Sequence, residues 1–208
     1  MPIKVNPNRM ELLKLKKRTV VAKRGHKLLR DKLDELMRQF LDAVRKGRSL
    51  REQVEEKLAQ AHGLFAIARS EVLIEVIEEA LFSPHARVTV EVSTRNLMGV
   101  IVPEMELRQE GTFDCYSLST TPATLDGALR TFNEVLPLMI ELAEVEKTVE
   151  LLAVEIEKTR RRVNALEYVL IPQLEETITF VTMKLDEMER SYHTQLMVIK
   201  EMVSESAV

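Results

Sequence analysis

Two long runs of the chain carry apolar or small residues in alternating steps of four and three, and this seam restricts the fold more than any other feature. The first passes through Leu29, Leu33, Leu36, Phe40, Ala43, Gly47, Leu50 and Val54, then resumes after one extra four-residue step at Leu58, Ala61, Phe65, Ala68, Val72 and Val76. The second passes through Leu142, Val145, Val149, Leu152, Ile156, Thr159, Val163, Leu166 and Leu170, and continues at Leu174, Ile178, Val181, Leu185, Met188 and Tyr192. Such spacing lays side chains along one stripe of an α-helix and is the heptad signature of helices wound on each other. Each extra step is a stutter that locally relaxes the winding.

No proline interrupts the chain between Pro7 and Pro84. The first run therefore predicts a helix from about Arg9 to Phe82, roughly 110 Å long at 1.5 Å per residue, and the second one from about Thr124 to Met202, roughly 120 Å long. Neither could keep its apolar stripe in water alone. Two helices of equal span satisfy each other most simply by antiparallel pairing. The expected fold class is all-α: a long antiparallel two-helix coiled coil with a short β-hairpin and an irregular loop at the tip. Residues 1–82 would be the first helix, 83–123 the tip and 124–208 the second helix, together one elongated domain. Composition agrees: with 4% aromatic residues, no Trp and six Gly among 208 residues, the chain has the make-up of long helices and not of a globule around a deep pocket.

The connection differs in kind. Arg87 to Val92 alternates apolar and polar residues with period two, and Leu97 to Val102 is a second β-prone run. Ser93, Thr94, Arg95 and Asn96 would form the turn between them, and Pro103 would close the hairpin. Glu104 to Pro122, with Gly111 and several Ser and Thr, reads as an irregular loop offering Phe113 and Tyr116 for packing or for a partner. Thr124 or Asp126 would cap the returning helix.

Net charge is −3, but it is unevenly placed. With Arg9 level with Met202 and Phe82 with Thr124, Arg161 would face Gly47 and Arg48. That register sets Arg45, Lys46, Arg48 and Arg51 beside Lys158, Arg160, Arg161 and Arg162, a collar of cations only partly offset by Asp42, Glu52, Glu155 and Glu157. Clustered like charges cost some stability, which an acidic or polar partner would offset. The alternative is a plain solvated basic face. Just beyond the collar, Pro172 interrupts a strong helix-forming run. It removes one backbone hydrogen bond and crowds the carbonyl of Tyr168, so a bend is expected there. A second basic stretch, residues 4–30, includes Lys14, Lys17 and Arg24 and stands opposite acidic residues of 173–190.

Catalytic and ligand-binding signatures are missing. His26, His62, His85 and His193 are dispersed, and Glu189 and His193, one turn apart, suggest only a surface contact. No Gly-rich phosphate loop occurs, and ten methionines at helical spacing read as core filling. No cofactor, metal or catalytic residue is expected. The single Cys115 fits a reducing compartment, no apolar run reaches bilayer length, and the basic N-terminus lacks a signal-peptide core, so a cytoplasmic protein is expected.

Four blocks carry a family resemblance: NPNRMELLKLKKR (Asn6 to Arg18), KRGHKLLRDKLDELMRQF (Lys23 to Phe40), LAEVEKT (Leu142 to Thr148) and EKTRRRVNALEYVLIPQLEETI (Glu157 to Ile178). Through them the chain resembles the D subunit of the V-type (V/A-type) rotary ATPases, over both helices. The resemblance implies a non-catalytic central stalk in the axis of a hexamer of alternating A and B subunits. The F subunit would lie alongside, and the funnel-shaped C subunit would link the stalk to the membrane rotor ring. Both termini would then lie inside the hexamer and the hairpin end outside it. The protein would be peripheral to the membrane, and would couple ATP synthesis or hydrolysis to ion transport. Contacts with the hexamer are expected from Arg160, Arg161 and Arg162, with Arg48 and Arg51. Arg45, Lys46, Lys14, Lys17 and Arg24 are further candidates. The F subunit is expected near residues 52–80 and 124–155, where Glu141, Glu144, Glu146 and Glu150 make an acidic stripe. Two rival readings use the same residues: a free-standing coiled-coil scaffold or tether, and a binder of nucleic acid or anionic membrane through the basic N-terminal turns. The absence of aromatic interleaving and the acidic pI speak against nucleic acid, and no membrane insertion is expected.

Overall fold

The computed structural model describes residues 6–82, 85–112, 116 and 121–205. Its elements are α1 (Arg9–Glu71), α2 (Ile74–Leu81), β1 (Arg87–Leu97), β2 (Val100–Glu110), α3 (Ala123–Ala165), one turn of π-helix (Leu166–Leu170) and α4 (Ile171–Glu205). The chain is mostly α-helical, with one antiparallel hairpin. It divides into two compact units, the first formed by residues 1–34 and 157–208, the second by residues 35–156. Phe113 and Cys115, singled out in the sequence, lie outside the described residues.

In the first unit the start of α1 packs antiparallel to α4. Leu15, Leu174 and Val181 form its buried core, with Leu12, Ala22, Ile178 and Leu185 against them. Thr19 and Thr177 are also buried in this seam. Each donates its hydroxyl to the carbonyl four residues back, Thr19 to Leu15 at 3.0 Å and Thr177 to Gln173 at 2.6 Å, so neither leaves a polar group unsatisfied. The predicted seam holds at Leu174, Ile178, Val181 and Leu185, whereas Leu170, Met188 and Tyr192 are exposed. Arg9, at the start of α1, bonds Glu189, so α4 runs on past the first turn of its partner.

In the second unit α1 packs antiparallel to α3, with Leu50, Val54, Ala61, Val135 and Val145 buried between them. Gly47 lets the two backbones close in, because a Cβ there would stand 3.3 Å from Val145 Cγ1. The single first helix expected to reach Phe82 is divided instead. Leu73 is extended (φ −60°, ψ 143°), and α2 turns back so that Ile77 meets Ala68 and Leu125. The 3.6-residue period continued through Val72 and Val76 because α2 buries a stripe of its own, and so periodicity did not reveal the corner.

The hairpin turn is also displaced from its expected place. Ser93 to Asn96 belong to β1, and the turn is Met98–Gly99, both with positive φ (54° and 88°), in register with Leu97 opposite Val100. Two successive left-handed residues match the twist of the flanking strands, and the Asn96 side chain accepts from the Gly99 N–H at 2.8 Å. Pro103 does not close the hairpin. It pairs with Thr94 inside β2, which a two-stranded ribbon tolerates because every strand has a free edge, and the expected loop from Glu104 to Glu110 is strand. The hairpin folds back onto the helices. Val100 and Val102 share a buried cluster with Leu36 and Leu152, flanked by Phe40, Leu97, Leu151 and Ile156. Nearer its base, the Met105 N–H donates to Glu144 at 3.0 Å and Gln109 to Asn133 at 2.8 Å.

Neither expected cap serves the start of α3. The Thr124 hydroxyl donates to Glu71 at 2.8 Å, and Asp126 accepts from the Tyr116 hydroxyl at 2.7 Å. Among the described residues no helix is long and apolar enough to cross a membrane.

Candidate functional site

The candidate site is a set of charged side chains on the outer faces of the helices, held by the local pairing of each unit. In the second unit that pairing displaces the expected register. Gly47 meets Val145. The expectation levelled the helix ends at Phe82 and Met202. In the structure α1 stops at Glu71, short of Phe82, and Arg9 meets Glu189. Arg161 is instead paired with Glu157 on its own helix.

Arg45, Lys46, Arg48 and Arg51, the candidate cations of the second unit, have acidic partners. Arg45 lies 3.7 Å from Asp42 and Arg48 3.1 Å from Glu52, both within α1. Lys46 reaches across to Glu141 at 2.7 Å and Arg51 to Glu146 at 2.5 Å. Glu146 holds the Arg51 guanidinium above its ordinary range, chiefly through the hydrogen bond and then through its charge. The residues of the acidic stripe have partners within the chain. Glu141 and Glu146 take these cations, Glu144 takes the Met105 N–H, and Glu150 takes Lys147 at 2.7 Å. Val44, Gly47, Val145 and Val149 floor a shallow groove of about 390 Å³ between the arginine rim (Arg48, Arg51) and the glutamate rim (Glu146, Glu150).

In the first unit Lys14 is paired with Glu11 at 2.7 Å, and Lys17 and Arg24 are exposed. Lys23 crosses to Glu175 at 2.7 Å, and Glu189, which spacing also set beside His193, is taken by Arg9. Arg160, Arg161 and Arg162 are all exposed near the end of α3. Directly after them comes the π turn, where the Ile171 N–H reaches the carbonyl of Leu166, five residues back. This is how the chain accommodates Pro172. A proline in an α-turn lacks the N–H for the carbonyl four residues earlier and pushes its ring against it; a wider turn relieves that crowding.

Sequence reasoning passed over His26, which is mostly buried and whose Nε2 lies 3.2 Å from Glu167 Oε2 in the π turn. The signal was faint: a histidine in α1 at a seam position, with no partner nearby in sequence. No group of three His, Cys, Asp or Glu side chains suited to a metal occurs among the described residues. The arrangement offers charged and apolar faces for other macromolecules.

Residues 11–201 match the protein family described as the ATP synthase D subunit. The V-type ATP synthase D subunit of a Thermoanaerobacter species is 57% identical over 203 residues, 97% of each chain. The protein of the same name from Acetivibrio thermocellus is 54% identical over 209 residues, 99% of this chain and 94% of its own. That from Clostridium botulinum is 50% identical over 210 residues. The match spans α1, the hairpin, α3, the π turn and nearly all of α4, and on this ground the chain belongs to the ATP synthase D subunit family.

Proposed function

We propose that the chain is the non-catalytic central shaft of a V-type rotary ATPase. It stands in the axis of a hexamer of alternating A and B subunits, and passes torque between ATP synthesis or hydrolysis there and ion movement through a membrane rotor ring. The F subunit lies alongside it, and the C subunit joins it to the rotor. The whole chain acts as one elongated body on the cytoplasmic side, peripheral to the membrane. The observation that best supports this reading is the antiparallel helix pairing over the family-matched span, tied across the seam by Arg9–Glu189, Lys23–Glu175, Lys46–Glu141 and Lys57–Glu134. A seam of interlocked side chains with such ties resists sliding of one helix past the other, which a shaft under twist requires. Tyr192, Leu196, Ile199, Met202 and Val203 at the end of α4 are exposed. In this reading the bore of the hexamer covers them.

A ring of three like pairs can hold three different nucleotide states only if something asymmetric biases each pair differently, by a coupling of about 1–3 kcal/mol. The charged faces supply that bias. Arg160, Arg161 and Arg162, with Arg48 and Arg51, contact the rim of the ring, and Arg45, Lys46, Lys14, Lys17 and Arg24 extend the contact. Pro172 sets a bend in the shaft. The test is reconstitution with A and B subunits and a bead attached at Met98–Gly99. Rotation of the bead on adding ATP is expected. A bead that stays still while the complex hydrolyses ATP would refute the shaft, and a chain that purifies alone would favour the free-standing tether.

A further inference from the structure

The two edges of the hairpin are not alike. The outer edge of β2 is closed: the Met105 N–H donates to Glu144 at 3.0 Å, the Gln109 side chain donates to Asn133 at 2.8 Å, and Pro103 has no N–H to offer. Because its N–H reaches α3, Met105 turns that group away from β1, and its partner in the register is Val92. Opposed residues of an antiparallel pair exchange both hydrogen bonds or neither, in alternation, so Val88, Val90, Val92 and Thr94 turn their own N–H and C=O groups away from β2. Among the described residues no hydrogen bond takes these groups. β1 is exposed from Arg87 through Asn96, and it carries no proline, no lysine and no bulge, its register running one to one from Arg87 to Leu97. A row of unpaired backbone groups of this kind is a template for another strand, and proteins ordinarily blunt it.

The side chains along that edge define what fits it. Val88, Val90 and Val92 share one face of the ribbon with Leu107 and Met105, and are 44%, 41% and 61% exposed. Arg87, Glu91 and Arg95 stand on the other face. Glu91 is taken by Arg108 at 2.7 Å, whereas no ion pair engages Arg87 or Arg95 among the described residues. We infer that the free edge of β1 is a strand-addition site, and that its occupant is an extended, acidic segment of another subunit of the ATP synthase, paired with Val88 to Thr94 as a third strand. Main-chain hydrogen bonds hold such a segment, and its alternate side chains cover the three valines. Charge complementarity makes it acidic, because Arg87 and Arg95 stand on its other face with no acid of this chain against them. The site lies wholly in the second unit and does not depend on the shaft or on the ring contacts proposed above.

The test reads amide hydrogen exchange at single residues of β1, in the full chain alone and in the assembled ATP synthase of the same organism. In the chain alone Thr89, Glu91 and Ser93, which bond β2, should exchange slowly and Val88, Val90, Val92 and Thr94 fast. In the assembly the second set should slow by about tenfold or more and the first set should change little. Val90→Pro removes one outward N–H and leaves the pairing with β2 in place, as Pro103 does on the other strand. In the assembly it should return Val88 and Val92 to fast exchange, whereas Val90→Thr, which keeps the N–H, should not. Arg87→Glu with Arg95→Glu should weaken the same protection. If the outer amides of the wild-type chain exchange equally fast alone and assembled, strand addition is overturned, while the shaft is decided separately by rotation of the bead. If they slow but Val90→Pro changes nothing, the edge is covered without pairing and the proposal is overturned. Slow exchange at Glu91 and Ser93 in the isolated Val90→Pro chain shows the hairpin intact; where it is lost, the wild-type comparison and the arginine pair decide. No effect of the charge reversal would overturn the acidic occupant. Protection of the outer amides that rises with concentration of the chain alone would make the occupant a second copy and also overturn the proposal.

Discussion

Leu152→Ala is the most informative single change in the fold, because Leu152 is fully buried where three elements meet: Leu36 of α1, Leu152 of α3, and Val100 and Val102 of β2. Truncating a buried leucine costs the lost transfer energy plus a cavity term, about 2.7–5.0 kcal/mol in total, and the lower end applies where the surroundings can close in. Here two walls are stiff helices and the third is a two-stranded ribbon, so the ribbon is the part able to relax. A cost of about 3 kcal/mol follows. With an unfolding entropy of about 2.1 cal/mol/K per residue over 208 residues, that lowers the melting temperature by roughly 7 °C. The loss should also be local. β1 is exposed for most of its length, so the docked end of β2 carries most of the hairpin's apolar attachment to the helices. Amide hydrogen exchange should show protection falling in β1 and β2 more than in the middle of α3. Ile101→Ala, at a position 67% exposed on the same strand, is the control and should change little. Equal loss of protection in α3 and the hairpin, or an effect of Ile101→Ala as large as that of Leu152→Ala, would refute the cluster as the point of attachment.

Three further outcomes are expected. Gly111→Ala should loosen the base of the hairpin by at least about 1–2 kcal/mol in chemical denaturation, since Gly111 has φ +83° and an added Cβ would fall 2.3 Å from the His85 carbonyl oxygen. Deleting Val169 alone should place Pro172 in an ordinary α-turn at a cost of about 3 kcal/mol, and adding Pro172→Ala should recover most of it; additive losses in this two-mutation cycle would separate the proline from the π turn. The Glu35 carboxyl is held below its ordinary range, first by the hydrogen bond from Arg38, with burial opposing it. A carboxyl depressed in the fold stabilises at neutral pH, and that contribution fades as pH falls through its folded-state value. Its NMR titration should therefore have a midpoint below 4.5 that moves up in Arg38→Ala.

What the sequence determined alone is what repeats along it. Leu36, Leu50, Val54, Ala61, Ala68, Val145, Leu152, Val163, Leu174 and Val181 are seam positions by spacing and are buried in the structure, because a helical period is a local property that each turn restates. The family was legible for the same reason, since its blocks sit on those helices. The tertiary structure alone decided whatever depends on where one segment stops against another. Leu73 ends the first helical run, and in that unit Glu71 meets Thr124 and Gly47 meets Val145; in the other unit Arg9 meets Glu189. Charges show the difference most clearly. Lys46, Arg51, Glu141 and Glu146 read as two unpaired runs in one dimension and are two ion pairs in three. Pro172 marked a disturbance, but only the register between Leu166 and Leu174 made it a π turn and put Tyr168 into solvent. A period fixes which face of a helix is apolar; only the partner's position along the axis fixes which residues meet.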